Sequence, residues 1–421
     1  MLSADWQAAF DAARKIYLEK AYSNIALNET VLQYKNCKGS FVRAFVKGVI
    51  KDTIRLDYII SSLAIHGIKS LNKRTVIILR LGIYAIDNLD SVPEYAAVNE
   101  AVLLAKKYAR GTDKITNGIL RQYIRSGKAM EFDENDLSIK YSFPKKAVEL
   151  IEKQYGSETE NILKGLNKTP SIILRINGLK TNKKDFSSRL ATEGFNFEDI
   201  NNVENAIAVS SGDITSTYLF REGYCSIQSL SSIKAINALS PEAGSNVLDL
   251  CAAPGGKSTA AAELMGDKGK ILSCDIHKHR VNLIKASAER LGLSCIKTMR
   301  MDGTNHNLEM TNTFDYVIAD VPCSGIGTIA SKPDIKIRFD EINFNGLIDT
   351  QKKILENAFD YTKYGGIIEY MTCTINKNEN ENVVKSLLSA HTKAEIIEMR
   401  TILPYNNDIG FFYCIIRKNA H

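Results

Sequence analysis

Through the first 130 residues the apolar positions fall at helical spacing. Leu56, Ile59, Ile60 and Leu63 make one such stripe, and Ala97, Ala101, Leu104, Ala105 and Tyr108 another. Between them Ser91-Val-Pro93-Glu94 reads as a helix start, with proline suited to the first turn and an acid beside the positive end of the helix dipole. Residues 1–130 are therefore expected to form an all-α domain. The acidic stretch Glu131-Phe-Asp-Glu-Asn-Asp136 reads as a linker, and the pattern from 140 to 230 is mixed. There Phe143-Pro144 opens a helix carrying Val148, Leu150 and Ile151, while Ser171 to Asn177 is a β-rich run, so a small α+β domain is expected. From 231 to 421 strands and helices alternate. Val247–Leu250, Lys270–Asp275, Phe314–Asp320 and Gly366–Met371 are the strand candidates, with helices such as Lys278–Leu291 between them. That alternation predicts an α/β, Rossmann-like parallel sheet with helices on both faces.

A chain of 421 residues suits two or three domains, and 44% hydrophobic with 24% charged residues is the make-up of a globular protein. Arg80 interrupts the most apolar stretch, Val76–Ile86, well short of the roughly 18 residues a membrane span needs. The first residues show no secretory leader. Eight cysteines form no CxxC pair, which predicts reduced thiols and a cytoplasmic setting. His277-Lys-His279 lacks partners at zinc spacing, so no metal is expected. A formal net charge of +6 is modest, but its distribution is not even. Between 101 and 130 lie Lys106, Lys107, Arg110, Lys114, Arg121, Arg125 and Lys128 against Asp113 alone, which suits a phosphate-binding surface as well as a solvated helix face.

In a doubly wound sheet, ligands bind beyond the carboxyl ends of the strands. The first strand runs into Cys251-Ala252-Ala253-Pro254-Gly255-Gly256-Lys257, where small residues let the backbone approach a ligand. The second strand ends in Asp275, at the spacing of an acid that binds ribose hydroxyls, and Asp302 stands where a third strand would end, able to meet an adenine amine. The loop matches neither GxGxxG nor GxxxxGK[ST], so a nucleoside without phosphates is expected, with S-adenosylmethionine the common one.

Two more strands end in cysteines, Asp320-Val-Pro-Cys323 and Thr372-Cys373. Most lone cysteines are small core residues, yet two thiols at neighbouring strand ends suit covalent chemistry. Carbon 5 of cytosine is a poor nucleophile. A thiolate adding to carbon 6 moves electron density onto carbon 5, and an acid near ring nitrogen 3, a task for Asp320 if protonated, favours the addition. Such a base must leave its stack. Lys332, Lys336 and Arg338, close after Cys323, are candidates to hold its phosphates.

Val92-Pro93-Glu94-Tyr-Ala-Ala-Val98-Asn99-Glu100, Ala105-Lys106-Lys107 and Thr116-Asn117-Gly118-Ile-Leu120 resemble the NusB-type RNA-binding domain. Asp249-Leu-Cys-Ala-Ala-Pro-Gly-Gly-Lys257, Asp320-Val-Pro-Cys323-Ser-Gly, Lys332-Pro-Asp-Ile-Lys336 and Thr372-Cys373-Thr-Ile-Asn-Lys-Asn-Glu379-Asn380-Glu381 resemble the motifs of RNA cytosine-5 methyltransferases. Nearly the whole chain is similar to the RsmB/Sun family. The resemblance implies an S-adenosylmethionine-dependent methyltransferase domain, preceded by an RRM-like extension over 140–230 and a NusB-like domain over 1–130. It also implies 16S ribosomal RNA as substrate, methylated at carbon 5 of the cytosine at position 967 in standard numbering; a monomer is expected. Cys373 would be the nucleophile and Cys323 would assist elimination. Cys251 to Lys257 with Asp275, Asp302 and Asp320 would hold cofactor and base, and Lys106, Lys107 and Arg110 would contact RNA with the cations after Cys323. Ser229, where relatives often carry aspartate, and Ser331, where a basic residue is usual, depart from the pattern. A tRNA cytosine-5 methyltransferase and a non-catalytic ribosome-assembly or antitermination factor are the rival readings.

Overall fold

The helical spacing of the N-terminal stretch becomes seven helices: α1 Ala4–Leu18, α2 Ser23–Gln33, α3 Gly39–Lys51, α4 Thr53–Leu63, α5 Lys73–Asn88, α6 Glu94–Tyr108 and α7 Asp113–Arg125. The computed structural model describes residues 2–420 apart from 129, 170, 211, 406 and 407. Helix α5 is apolar on almost every side, as a helix at the centre of a bundle must be, and buries an unbroken run from Thr75 to Leu79. Arg80, the residue that breaks the apolar stretch, donates from Nε and Nη2 to both carboxylate oxygens of Asp57, each at 2.7 Å, and lies over the Tyr17 ring. Its charge enters the unit paired.

Three more helices, α8 Leu137–Tyr141, α9 Lys145–Tyr155 and α10 Thr159–Asn167, extend this unit. The chain divides into two compact units, residues 1–167 with 329–341, and residues 168–328 with 342–421. The cut after residue 167 falls inside the 140–230 stretch: α8 to α10 group with the helical unit, and the strands with the helices between them group with the other. The reason is local. The α8–α9 turn caps α4 through Ser142 Oγ, which accepts from the Ile54 and Arg55 amides at 3.1 and 3.3 Å.

The second unit opens with a four-stranded antiparallel sheet of order β2-β3-β1-β4, built from β1 Ile172–Ile176, β2 Phe197–Asp199, β3 Ala206–Val209 and β4 Cys225–Ile227. Helices α11 Lys183–Thr192 and α12 Tyr218–Arg221 connect these strands, and α13 Leu230–Leu239 leads onward. A seven-stranded sheet follows, in the order β10-β11-β9-β8-β5-β6-β7. Its parallel strands are β5 Asn246–Asp249, β6 Lys270–Asp275, β7 Ile296–Arg300, β8 Phe314–Asp320 and β9 Thr362–Thr372. Helices α14 Gly256–Leu264, α15 Lys278–Leu291, α17 Phe344–Tyr361 and α18 Glu381–Ala390 pack on it, while α16 Asp334–Ile337 belongs to the helical unit. The expected parallel sheet thus gains two antiparallel strands, β10 Ala394–Ile402 and β11 Phe411–Lys418, the latter paired with β9. One face buries Leu248, Val317, Ile368 and Tyr370, and the other Val247, Ile318, Met371 and Ile415. Both faces are covered, as a parallel sheet requires.

Candidate active site

Between β5 and α14 the chain turns through Cys251 to Gly256. Gly255 holds φ at +106°, and a side chain there would stand 3.2 Å from the backbone of Ile284 on α15, so glycine is the residue that fits. The loop is anchored from below. Ala252 donates its amide to the Cys274 carbonyl at 2.8 Å, Ser258 Oγ donates to Asp249 Oδ2 at 2.6 Å, and Ser273 donates to Ser258. Burial pushes the Asp249 carboxyl up to about 7, against the pull of the Ser258 hydrogen bond and with Asp320 adding to it. Its Oδ1 has no partner among the described residues.

Asp275 ends β6, is 3% exposed, and accepts the His277 amide at 3.0 Å, with Arg280 at 3.4 Å. Asp302 lies two residues past β7. It accepts from the hydroxyl and amide of Thr304, which hold its carboxyl below the usual range. A glycine cradle with carboxylates at the next two strand ends fits a nucleoside cofactor such as S-adenosylmethionine.

One arginine steadies the cradle. Arg175 of β1, 1% exposed, donates to both carboxylate oxygens of Glu263, at 2.8 and 3.0 Å, to the Gly256 carbonyl at 2.7 Å, to Thr259 at 3.0 Å and to Gln228. The start of α14 is thereby tied to the smaller sheet. Sequence reasoning missed this role, although an arginine inside a β-rich run such as Ile-Ile-Leu-Arg-Ile was a visible signal.

The two thiols meet. Cys323 Sγ and Cys373 Sγ are 3.3 Å apart, unlinked and half-buried. Their hydrogen bond, then burial, then the charges of Cys373, Glu379 and Asp320 push the Cys323 thiol well up. Beside them Lys257 Nζ donates to Asp320 Oδ2 at 2.5 Å. Burial works against the lysine's charge, but Asp320, Asp249 and Cys373 outweigh it and raise its pKa, so it stays an ammonium. Asp320 is thus an ion-pair partner of the glycine loop's lysine.

A buried carboxylate holds the two cysteine loops in register. Glu379 accepts from the Ser324 amide at 2.8 Å and hydroxyl at 2.6 Å, from Asn376 Nδ2 at 3.0 Å and from Gln351 Nε2 at 3.1 Å. Those donors come from the Cys323 loop, the Cys373 loop and α17. Gly327 donates its amide to the Cys373 carbonyl at 3.1 Å, and a side chain on Gly327 would stand 1.8 Å from the Gly410 carbonyl. Gln351, fully buried on the apolar face of α17, was also missed, and its signal was a lone amide ahead of Ile354 and Leu355. Beside Cys323 a hollow of about 440 Å³ is lined by Ser324, Ile342, Asn343, Gly346 and Leu347.

The residues expected to touch RNA separate into two groups. Lys106, Lys107 and Arg110 are exposed on and just after α6, and Lys332 is exposed. Lys336 is 3% exposed, and its Nζ donates to the Lys51 and Tyr141 carbonyls and to Asn167 Oδ1, at 3.0, 3.3 and 2.7 Å. Arg338 donates to the Lys20 and Ala21 carbonyls at 2.5 and 2.8 Å and stacks on Tyr22. Lys336 is spent on these buried acceptors, so the expectation that it binds RNA is withdrawn. Both side chains fasten residues 329–341 into the helical unit.

Comparison with known families divides the chain into three. The model described as 16S rRNA methyltransferase RsmB/F matches residues 236–416, the NusB family matches 5–125, and an RsmF/B-like ferredoxin-like domain matches 143–214. A probable ribosomal RNA small subunit methyltransferase B of Bacillus subtilis is 33% identical over 439 residues, covering 98% of each chain. One of the same description from Synechocystis is 33% identical over 447 residues, covering 99% of this chain and all of the relative. A solved methyltransferase homolog from Pyrococcus horikoshii superposes with a TM-score of 0.61 at 27% identity, over 68% of this chain and all of that one.

Proposed function

The chain belongs to the RsmB/F family of 16S rRNA methyltransferases, and we propose that it methylates carbon 5 of a cytosine in 16S ribosomal RNA, at position 967, through a covalent bond from Cys373. The observation that carries this reading is the pair of thiols 3.3 Å apart beside the Lys257–Asp320 ion pair. S-adenosylmethionine is the cofactor and supplies an electrophilic methyl group when bound at the glycine loop. Asp275 and Asp302 would hold its ribose and adenine.

The chain's own residues do the rest. Lys257 is a cation close enough to Cys373 to favour its thiolate. The Cys373 thiolate adds to carbon 6, and the π electrons of the ring shift toward carbon 5. The Lys257–Asp320 pair carries the proton that ring nitrogen 3 takes up as the addition proceeds. Cys323 assists the elimination, in which the carbon-5 proton passes to solvent water, the bond from carbon 6 to sulfur breaks to free Cys373 as a thiolate, and ring nitrogen 3 returns its proton to the Lys257–Asp320 pair. Glu379 keeps both loops at the separation this exchange needs.

Replacing Cys373 with alanine is expected to lower methyl transfer by at least ~10³-fold while S-adenosylmethionine still binds by calorimetry. Normal turnover by that variant would end the mechanism. Cys323→Ala is expected to accumulate a protein–RNA adduct that survives denaturing electrophoresis. Bisulfite sequencing of ribosomal and transfer RNA, with and without the gene, names the nucleotide. Loss of the mark at 967 supports the reading, loss in transfer RNA supports the tRNA enzyme, and no change supports a non-catalytic assembly factor.

A further inference from the structure

A lateral row crosses the large sheet just below the thiols. In register it runs Ser273 on β6, Asp249 on β5, Ile318 on β8, Glu369 on β9, Ile415 on β11 and Glu398 on β10. Glu369 thus stands between two isoleucines, on the face that also holds Met371 and Cys373. It is fully buried, and both of its carboxyl oxygens lack a hydrogen-bond partner among the described residues. An isolated carboxylate in such a layer costs far more than a neutral acid. A carboxyl there is a liability for folding, and nothing in the anchoring of the loops uses it.

Its surroundings suggest what it does. The charges that act on it are Lys257 of α14, Asp320 of β8, Asp249 of β5 and Glu398 of β10, which accepts from the Tyr413 hydroxyl at 2.7 Å; it acts in turn on Tyr413 and, across the sheet, on Cys414 of β11. The other charged residue on α14, Glu263, is taken by Arg175, and Lys234 of α13 is taken by Asp408. One ammonium therefore serves Asp320, Cys373 and, when it ionises, Glu369.

We propose that Glu369 is a positioning residue for the reaction: as a neutral acid it leaves the Lys257 ammonium to Asp320 and Cys373, and on releasing its proton to solvent it draws that cation away and silences the site. Burial, opposed by Lys257 and aided by Asp320, Asp249 and Glu398, pushes its carboxyl up to about 8, so the change falls just above neutrality. The inference rests on the proposed role of Cys373 and is separable from it. Ionised Glu369 disfavours the Cys373 thiolate, so thiol reactivity reports the coupling without RNA.

The test compares full-length wild type with Glu369→Gln and Glu369→Met from pH 6.5 to 9.5. Two readouts are followed: alkylation of Cys373 by iodoacetamide, resolved from Cys323 by peptide mass spectrometry, and methyl transfer to a 16S ribosomal RNA transcript. Each rate is normalised to its own value at pH 7. At pH 9 both variants are expected to exceed wild type at least threefold in alkylation, and their methyl transfer should fall one pH unit later. Two variants guard against one failing to fold. Superimposable alkylation profiles overturn the proposal. Shifted alkylation without methylation by any of the proteins upholds the coupling and removes the catalytic reading instead.

Discussion

Two lysines, one half-buried in the sheet unit and one buried in the helical unit, sit in opposite surroundings. Lys257 meets the Asp320 carboxylate, with Asp249 and Cys373 nearby, and its pKa rises despite burial. Lys336 meets only uncharged oxygens, two carbonyls and an amide, with its Nζ 3.8 Å from the centre of the Phe143 ring. Burial dominates there and pulls the amine down to about 7, offset only in part by Asp52. Whether a carboxylate lies within reach decides whether a buried lysine carries a charge for chemistry or serves as a polar rivet. In the sequence the two look alike: each follows a tight turn signal, and each sits in a motif.

The sharpest way to break this contrast is to remove both charges. Lys257→Met is expected to cut kcat by ~10²-fold or more, the scale of losing one preorganised electrostatic partner, whereas Lys336→Met should leave kcat within about twofold. Equal losses in single-turnover assays would erase the distinction.

A smaller effect separates the units by pH. A lysine with a depressed folded pKa binds fewer protons folded than unfolded, so Lys336 makes the helical unit gain stability as pH rises from about 7 toward the ordinary lysine value. Glu369 and Asp249 are acids raised to about 8 and about 7, so the sheet unit is most stable below the ordinary carboxyl range and loses stability as pH rises from there through those values. Hydrogen exchange between pH 6 and 9, corrected for intrinsic rates, should show protection moving in opposite directions in the two units, by a few kcal/mol at most. Parallel movement would mean that these groups do not dominate. The Lys336→Met protein should lose the rise in the helical unit.

The smallest effect concerns RNA. Neutralising Lys106, Lys107 and Arg110 is expected to flatten the slope of log affinity against log salt by about 0.7 for each phosphate they had neutralised. Neutralising Lys336 should leave the slope unchanged, because its charge is spent on buried acceptors. A flatter slope in that variant would restore it as an RNA ligand.

Much of the site was legible along the chain. Strands Lys270–Asp275 and Phe314–Asp320 and helix Lys278–Leu291 have the bounds their apolar patterns predict. The glycine loop, Asp275 and both thiols lie at strand ends because strand periodicity and ligand position are local rules. What escaped were residues whose role depends on distant partners. Arg175 meets Glu263, Gln351 meets Glu379, and Lys336 meets a carbonyl from residue 51, none of them near in sequence. The antiparallel β10–β11 pair escaped for a related reason, since pairing direction is set by a neighbour and not by a strand's own pattern.

The order of elements, the cofactor loop and the pair of cysteines can be read along the chain, because backbone propensity, hydrophobic period and residue chemistry are properties of short segments. The fold was needed to show which lysine meets a carboxylate, which carboxyl finds no hydrogen-bond partner among the described residues and how close the two thiols come. Those outcomes depend on burial and on partners brought together by the register of β8, β9 and β11, and electrostatic energy follows distance in space, not distance along the chain.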